Sequence, residues 1–179
     1  MILMEDEASF YRQPTAAWAW SPAGRTQPHM HWGLRANHCV RAAVALDAVG
    51  GGVAYRLASS FGAEELGRTY RFFSGAWQNV ERIFLVMDNW PVHTHPKAWR
   101  AIQEDQRVEV LWLPTYAPWL NPAEKVWKWL RQRLTHMHSY SDDLSGLRRA
   151  IDGALESANK TPEAMLRHTG TGKCKLYCS

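Results

Sequence analysis

The chain has no apolar run approaching the roughly 18–20 residues that cross a bilayer, so no helical membrane segment is expected. It has only three cysteines, Cys39, Cys174 and Cys178. An odd, unpatterned set gives no disulfide framework, and Cys174 with Cys178 falls short of the four ligands of a structural zinc site. That usage suits a reducing compartment, and a cytoplasmic protein is expected. Glu5, Asp6 and Glu7 fall where a signal peptide needs positive charge, which argues against a secretory leader. Internal repeats and low-complexity tracts are also missing, which excludes solenoid and disordered-array classes. The charge excess is small, +4 at pH 7. It permits a nucleic-acid partner without requiring one.

What is there is aromatic and locally basic. A length of 179 residues is one domain's worth of chain, with ten tryptophans. Some of these serve the core, and the rest suit a surface that meets flat or apolar partners. Lys and Arg crowd into 125–133 and 148–175. Residues 2–4, Ile-Leu-Met, read as a short buried strand leading into Asp6, and "WAWSPAGRTQP" (18–28) as a strand ending in a turn. "CVRAAVALDA" and "GVAYRLASS" flank Gly-rich residues and read as a hairpin, with Asp47 a hairpin residue. Leu66, Tyr70, Phe73 and Trp77 recur at helical spacing and predict a helix face. "RIFLVMD" predicts a central strand buried on both sides, "HPKAWRAIQED" a short helix, and "VEVLWL" a strand stopped by Pro114. A strong helix is expected over 121–134, and a last one over 141–157 with Ser141 as its N-cap. The order predicts an α/β fold, a mixed sheet with helices on both faces.

Three acids fall where a sheet-based metal site needs them. Asp6 follows the first strand, Asp88 closes a later one, and Glu124 lies in the first turn of a helix. Ligands gather beyond strand ends in open α/β sheets, and converging carboxylates suit Mg²⁺. Each acid also has a plainer role open to it. Asn121, Pro122 and Glu124 resemble a capping box, with Asn in place of Ser or Thr. Asp88, before Asn89 and Pro91, fits a turn. Asp6 has acidic neighbours, and strand alternation puts Asp6 with Ile2 and Met4 but Glu5 and Glu7 with Leu3. That parity does not decide which acid faces a site.

"FLVMDNWPVH" followed by "LPTYAPWLNPAEKVWKWLR" resembles the catalytic core of DDE-superfamily transposases, in the bacterial insertion-sequence branch related to mariner elements. The residues carrying the resemblance are Asp88, Asn89 and His93, then Leu113, Pro114, Tyr116, Pro118, Leu120, Asn121, Pro122, Glu124 and Trp127. Residues 89–123 separate the two acids, close to the family spacing. "DEASF" and the Trp-Ser-Pro-Ala-Gly stretch resemble the family's first-Asp segment and put the first catalytic Asp at Asp6. The resemblance implies a ribonuclease-H-like core over 1–135, with 136–179 a C-terminal helix and basic tail. It implies that Asp6, Asp88 and Glu124 are catalytic and hold two Mg²⁺ ions, with Mn²⁺ able to substitute. The activity implied is DNA cleavage and strand transfer in transposition.

On a helix, Lys128 and Arg131 share the face of Glu124, and with Lys125 and Arg133 they become candidate contacts to a DNA backbone. Asn89, His93 and Asn121 are secondary candidates, His93 being expected to sit partly exposed. With the first strand starting at residue 2, no N-terminal helix-turn-helix module is expected. Sequence-specific recognition of DNA ends by this chain alone is then not expected, and its candidate partners besides DNA are a second copy (a homodimer) or a separately encoded N-terminal DNA-binding half. Two other readings stay open: a ribonuclease-H-like nuclease without strand transfer, and a catalytically silent DNA-binding remnant.

Overall fold

The computed structural model describes residues 1–13, 38–115, 117–135 and 139–171. Five strands form one mixed sheet in the order β3-β2-β1-β4-β5. They are β1 (Ile2–Tyr11), β2 (Cys39–Asp47), β3 (Val53–Ala58), β4 (Ile83–Met87) and β5 (Val108–Trp112). The β1, β2 and β3 strands run antiparallel, whereas β4 lies parallel to β1 and β5 parallel to β4. Helices α1 (Ala63–Ala76) and α2 (Pro96–Gln103) belong to one face. On the other lie α3 (Ala123–Leu134), α4 (Leu144–Asn159) and α5 (Pro162–Thr169). This is the α/β arrangement expected from the order of elements. Among the described residues, no helix is long and apolar enough to cross a membrane.

Alternation along β1 separates two cores. Met4, Ala8 and Phe10 pack with Val126, Trp127, Leu130, Leu147 and Ile151 beneath α3 and α4. Leu3, one residue out of phase, packs with Leu66, Tyr70 and Phe73 of α1. The α1 face therefore matches its spacing in the sequence. The β2–β3 hairpin does as well: Asp47 Oδ1 accepts the amide hydrogen of Val49 at 2.9 Å, and Gly51 completes the turn at φ +75°.

Several expectations need correcting. The first strand does not end before Asp6. It pairs with β2 from Leu3 to Tyr11, and this ladder carries it past the point where β4 stops. The β4 strand is not buried on both sides, because Phe84 and Val86 are only half-covered. On that face α3 lies over β1 and β2 and α4 over β2 and β3, and β1 holds the middle of the sheet. The N-cap of α4 is Asp143, whose side chain accepts from the Gly146 amide at 2.7 Å, and not Ser141. Ser141 is buried, and its carbonyl accepts from Arg12 Nε. The helix over 141–157 is also not the last, since α5 follows it with Pro162 at its first turn and a left-handed Gly170 ending it. The stretch 18–28, Tyr116, Cys174 and Cys178 lie outside the described residues.

Leu130 is wholly buried between α3 and the sheet. Leu130→Ala is expected to destabilise the protein by about 2–5 kcal/mol, read as a lower urea midpoint at unchanged slope.

Candidate active site

The parallel register of β1 with β4 pairs Met4 with Val86, and continuing it two residues brings Asp6 opposite Asp88. Helix α3 starts against the same place. Asp6, Asp88 and Glu124 line one cavity of about 350 Å³, together with Asn89, Trp90 and Asn121. The three acids singled out in the sequence therefore meet, although they come from three separate elements.

Asn121 sets the start of α3 with both ends of its amide. Its Oδ1 accepts from the Ala123 amide at 3.0 Å, and its Nδ2 donates to the Glu5 carbonyl at 2.7 Å. The backbone N–H of Asn121 is taken by the Pro118 carbonyl at 2.9 Å. A capping box would need that N–H for the Glu124 carboxylate, so the box is not made. Glu124 instead stays exposed on the cavity. One turn on, Trp127 reaches back and donates from Nε1 to Asp6 Oδ2 at 2.8 Å. The ring itself is buried with Val126 and Leu130 in the core beneath α3.

The environments of Asp6 and Asp88 push their acidities apart. Burial, and next the charge of Glu124, raise the Asp6 carboxyl to about 8. Asp88 is held below the usual carboxylate range, chiefly by its hydrogen bond from His93. Its Oδ1 lies 3.0 Å from His93 Nε2 and accepts from the Trp90 amide at 2.9 Å. Among the described residues nothing bonds its Oδ2. Asn89 donates to the Leu113 carbonyl at 2.7 Å and ties the exit of β5 to the turn after β4.

His93 was expected partly exposed, and its exposure is 0%. The α1 side covers it, and Tyr70 Oη lies 2.6 Å from its Nδ1. Glu5 and Glu7, on the same face of β1 as Leu3, extend this buried group. Glu7 Oε2 is 3.9 Å from His93 Nε2, and among the described residues no donor bonds either Glu5 oxygen. Burial drives Glu5 far above the usual range and Glu7 up to about 7, so the pair retains a proton near neutrality. One ligand atom each from Glu5, Glu7 and His93 lie within 4.8 Å of one another. Both ring nitrogens of His93 are already engaged, however, by Tyr70 and Asp88, and the group is better matched to protons than to a cation. Alternation in β1 is the signal that put Glu5 and Glu7 together. Nothing local in the sequence tied them, or Tyr70, to His93.

The basic residues divide. Glu124, Lys128 and Arg131 line one shallow groove along α3, with Arg131 stacked over Phe10 at 5.7 Å. Lys125 also lines it, but its Nζ donates to the Thr169 carbonyl at 2.5 Å at the end of α5. Arg133 lies over the Trp129 ring at 4.7 Å. Among the described residues, no Lys or Arg forms an ion pair with Asp6, Asp88 or Glu124. An all-oxygen donor set with uncompensated charge fits a hard divalent cation.

Asp6 goes from 3.8 to about 8 on folding and Glu7 from 4.5 to about 7. The folded protein then holds protons that the unfolded chain has released. Stability from these groups is full below about pH 4 and is lost as pH rises through about 8. Asp88, shifted the other way, weakens the fold only at the acid end. Urea unfolding in chelator should therefore give lower stability at about pH 8 than at about pH 5, and Mg²⁺ should restore it at the higher pH. A flat profile in chelator would contradict the uncompensated cluster.

Residues 1–148 match the family model described as DDE superfamily endonuclease. Over 65 residues the chain is 28% identical to an insertion element IS630 uncharacterized 39 kDa protein of Shigella sonnei, covering 36% of this chain and 19% of that protein. The fold is similar to that in the mariner Mos1 paired end complex with Mg, at a TM-score of 0.70 and 17% identity. That match covers 96% of this chain and 52% of the other. The catalytic domain of Mos1 mariner transposase aligns at a TM-score of 0.58 and 15% identity, over 94% of this chain and 78% of that one. At these identities the structural matches establish the ribonuclease-H-like fold. The chain spans about half of the Mos1 chains in the complexes and a fifth of the curated relative. With most of its length matched by that family model, and its acids gathered at one cavity, the chain belongs to the DDE superfamily endonucleases.

Proposed function

We propose that this chain is the catalytic domain of a transposase that cuts DNA and joins the freed 3′ end to a target strand. The observation that carries the reading is the convergence of Asp6, Asp88 and Glu124 on one cavity in a chain of this family. Asp6, Asp88 and Glu124 would hold Mg²⁺ or Mn²⁺, as a pair of ions, and such ions supply activation of the attacking oxygen and stabilisation of the leaving one. Mos1 structures with Mn and with Mg support the choice of ion. In the first step water attacks a phosphodiester and the bond to the 3′ oxygen breaks. In the second, the freed 3′-hydroxyl attacks a target phosphodiester and displaces its 3′ oxygen.

The chain's own groups prepare both steps. His93 and the Trp90 amide fix one oxygen of Asp88 and leave the other to the cavity. Trp127 fixes Oδ2 of Asp6, and Asn121 fixes where Glu124 begins its helix. Lys128 and Arg131 draw the DNA backbone along α3 towards Glu124. Lys125 and Arg133 contribute to that field from the positions where Thr169 and Trp129 hold them. The Mos1 structures include a paired-end complex with the left transposon end and a strand transfer complex. By that likeness the partner here is DNA, two copies act together, and end recognition comes from a segment or partner outside this fold. Action on DNA in the cytoplasm completes the reading.

Plasmid nicking in Mg²⁺ or Mn²⁺ tests it. Asp88→Asn and Glu124→Gln should each lower the rate about a hundredfold or more, since losing ion-mediated charge stabilisation costs several kcal/mol of barrier. Equal rates in parent and variants would remove the metal-site assignment. A precut 3′ end supplied with a plasmid separates joining from simple hydrolysis, and hydrolysis alone would leave a nuclease.

Lys128→Ala and Arg131→Ala should weaken DNA binding similarly for unrelated sequences. Each should also flatten the dependence of log affinity on log salt by about one, as followed by fluorescence anisotropy.

A further inference from the structure

Tyr70 sits across the sheet from α3, in a stripe whose spacing explains it fully as a core residue. It is only 2% exposed, beside Leu66 and Phe73. Its hydroxyl nevertheless lies 2.6 Å from His93 Nδ1, inside an otherwise apolar cluster. His93 is buried as well and spans the gap, its Nε2 being 3.0 Å from Asp88 Oδ1. The Asp88 side chain is itself 59% exposed, on the turn after β4.

The bonding leaves little freedom. An ionised Asp88 only accepts, so Nε2 of His93 must carry the hydrogen between them. In a neutral imidazole Nδ1 then has a lone pair and needs a donor, and the Tyr70 hydroxyl stands there. Burial, and then the charges of Glu5, Glu7 and Asp88, keep that hydroxyl protonated. The Trp90 ring, edge-on at 5.5 Å and 82°, closes another side of the imidazole. An exposed Asp would otherwise sample several rotamers. Here a chain of two hydrogen bonds joins its Oδ1 to a tyrosine anchored in the core.

We propose that Tyr70 is a positioning residue for Asp88, acting through His93: it holds Nε2–H on Oδ1 and leaves Oδ2 as the oxygen offered to the cavity. The inference rests on the assignment of Asp88 as a metal ligand. It adds a residue on α1 that reaches the site through its hydroxyl on His93 and that no motif in the sequence marks. If Tyr70 only fills space, removing its hydroxyl lowers the folded fraction without changing the metal affinity of molecules that remain folded. A positioning role shifts the affinity itself.

The test uses the full chain, Tyr70→Phe, and two readouts that do not depend on activity. Nitrogen-correlated NMR of the His93 ring in the parent should show a proton on Nε2 that exchanges slowly with water, and none on Nδ1. In Tyr70→Phe that protection should be lost. Mn²⁺ titration, followed by paramagnetic broadening of signals around Asp88, should give a midpoint about tenfold higher in Tyr70→Phe, the scale seen when a partner of a metal ligand is removed. His93→Ala, which breaks the two-bond chain at its middle, should raise the midpoint by a similar factor, about tenfold. Tyr55→Phe, which loses bonds to Asp152 at the far edge of the sheet, should leave the midpoint unchanged. A parent ring with a proton on Nδ1, with or without one on Nε2, or equal midpoints in parent and Tyr70→Phe, overturns the proposal. If the parent binds Mn²⁺, the midpoint shifts as expected and no plasmid is nicked, the positioning role stands and the proposed function fails.

Discussion

The site depends on how α3 is fastened to β1. Two side chains of the α3 segment reach the central strand: Asn121 bonds the carbonyl of Glu5, and Trp127 bonds the carboxylate of Asp6. Between them lies Glu124, so the contacts that dock the helix also set the third acid beside the first. Both bonds are made where water is largely excluded, and leaving either group unpaired there would cost more than the bond contributes when made. The clasp therefore fixes geometry more than it adds stability. The apolar side of α3, with Val126 and Leu130 against the sheet, supplies the burial that holds it closed.

That docking concentrates negative charge. Glu5, Asp6 and Glu7 are consecutive, and the sheet sends the middle one to the side of Glu124 and the outer two to the side of His93. The molecule handles the two sides differently. Beneath α1, deep burial leaves Glu5 and Glu7 to keep a proton beside a histidine. Towards α3, Asp6, Asp88 and Glu124 border an open cavity where a cation can enter. Asp88 belongs to both settings, bonded to the buried histidine yet facing the cavity.

The sequence was most legible where a local pattern had one solution. The stripe of Leu66, Tyr70 and Phe73 admits only a helix face, and Asp47 with its glycines admits only a turn. Asp88 and Glu124 were identifiable through their flanking motifs. Other features depended on distant partners. Leu3 and Met4 are both apolar because both faces of β1 are covered, so composition alone could not say which acid meets Glu124. Whether Glu124 caps its helix turned on the Pro118 carbonyl taking the Asn121 amide. His93 is buried by a helix that precedes it by some twenty residues, and Lys125 is held by Thr169, 44 residues away. The α5 helix carried ordinary start and stop signals in Pro162 and Gly170, but its short, largely polar sequence gave little periodicity to notice.

The alternation of acids along β1 has an evolutionary consequence. Neighbouring residues of a strand face opposite ways, so one residue inserted between Met4 and Glu5 would exchange the two sides. Two carboxylates would then face α3, and one would lie under Tyr70. Such a chain would keep its number of acids while reversing which layer of the molecule receives each one. Over this stretch, a change in length by one residue is closed to the protein.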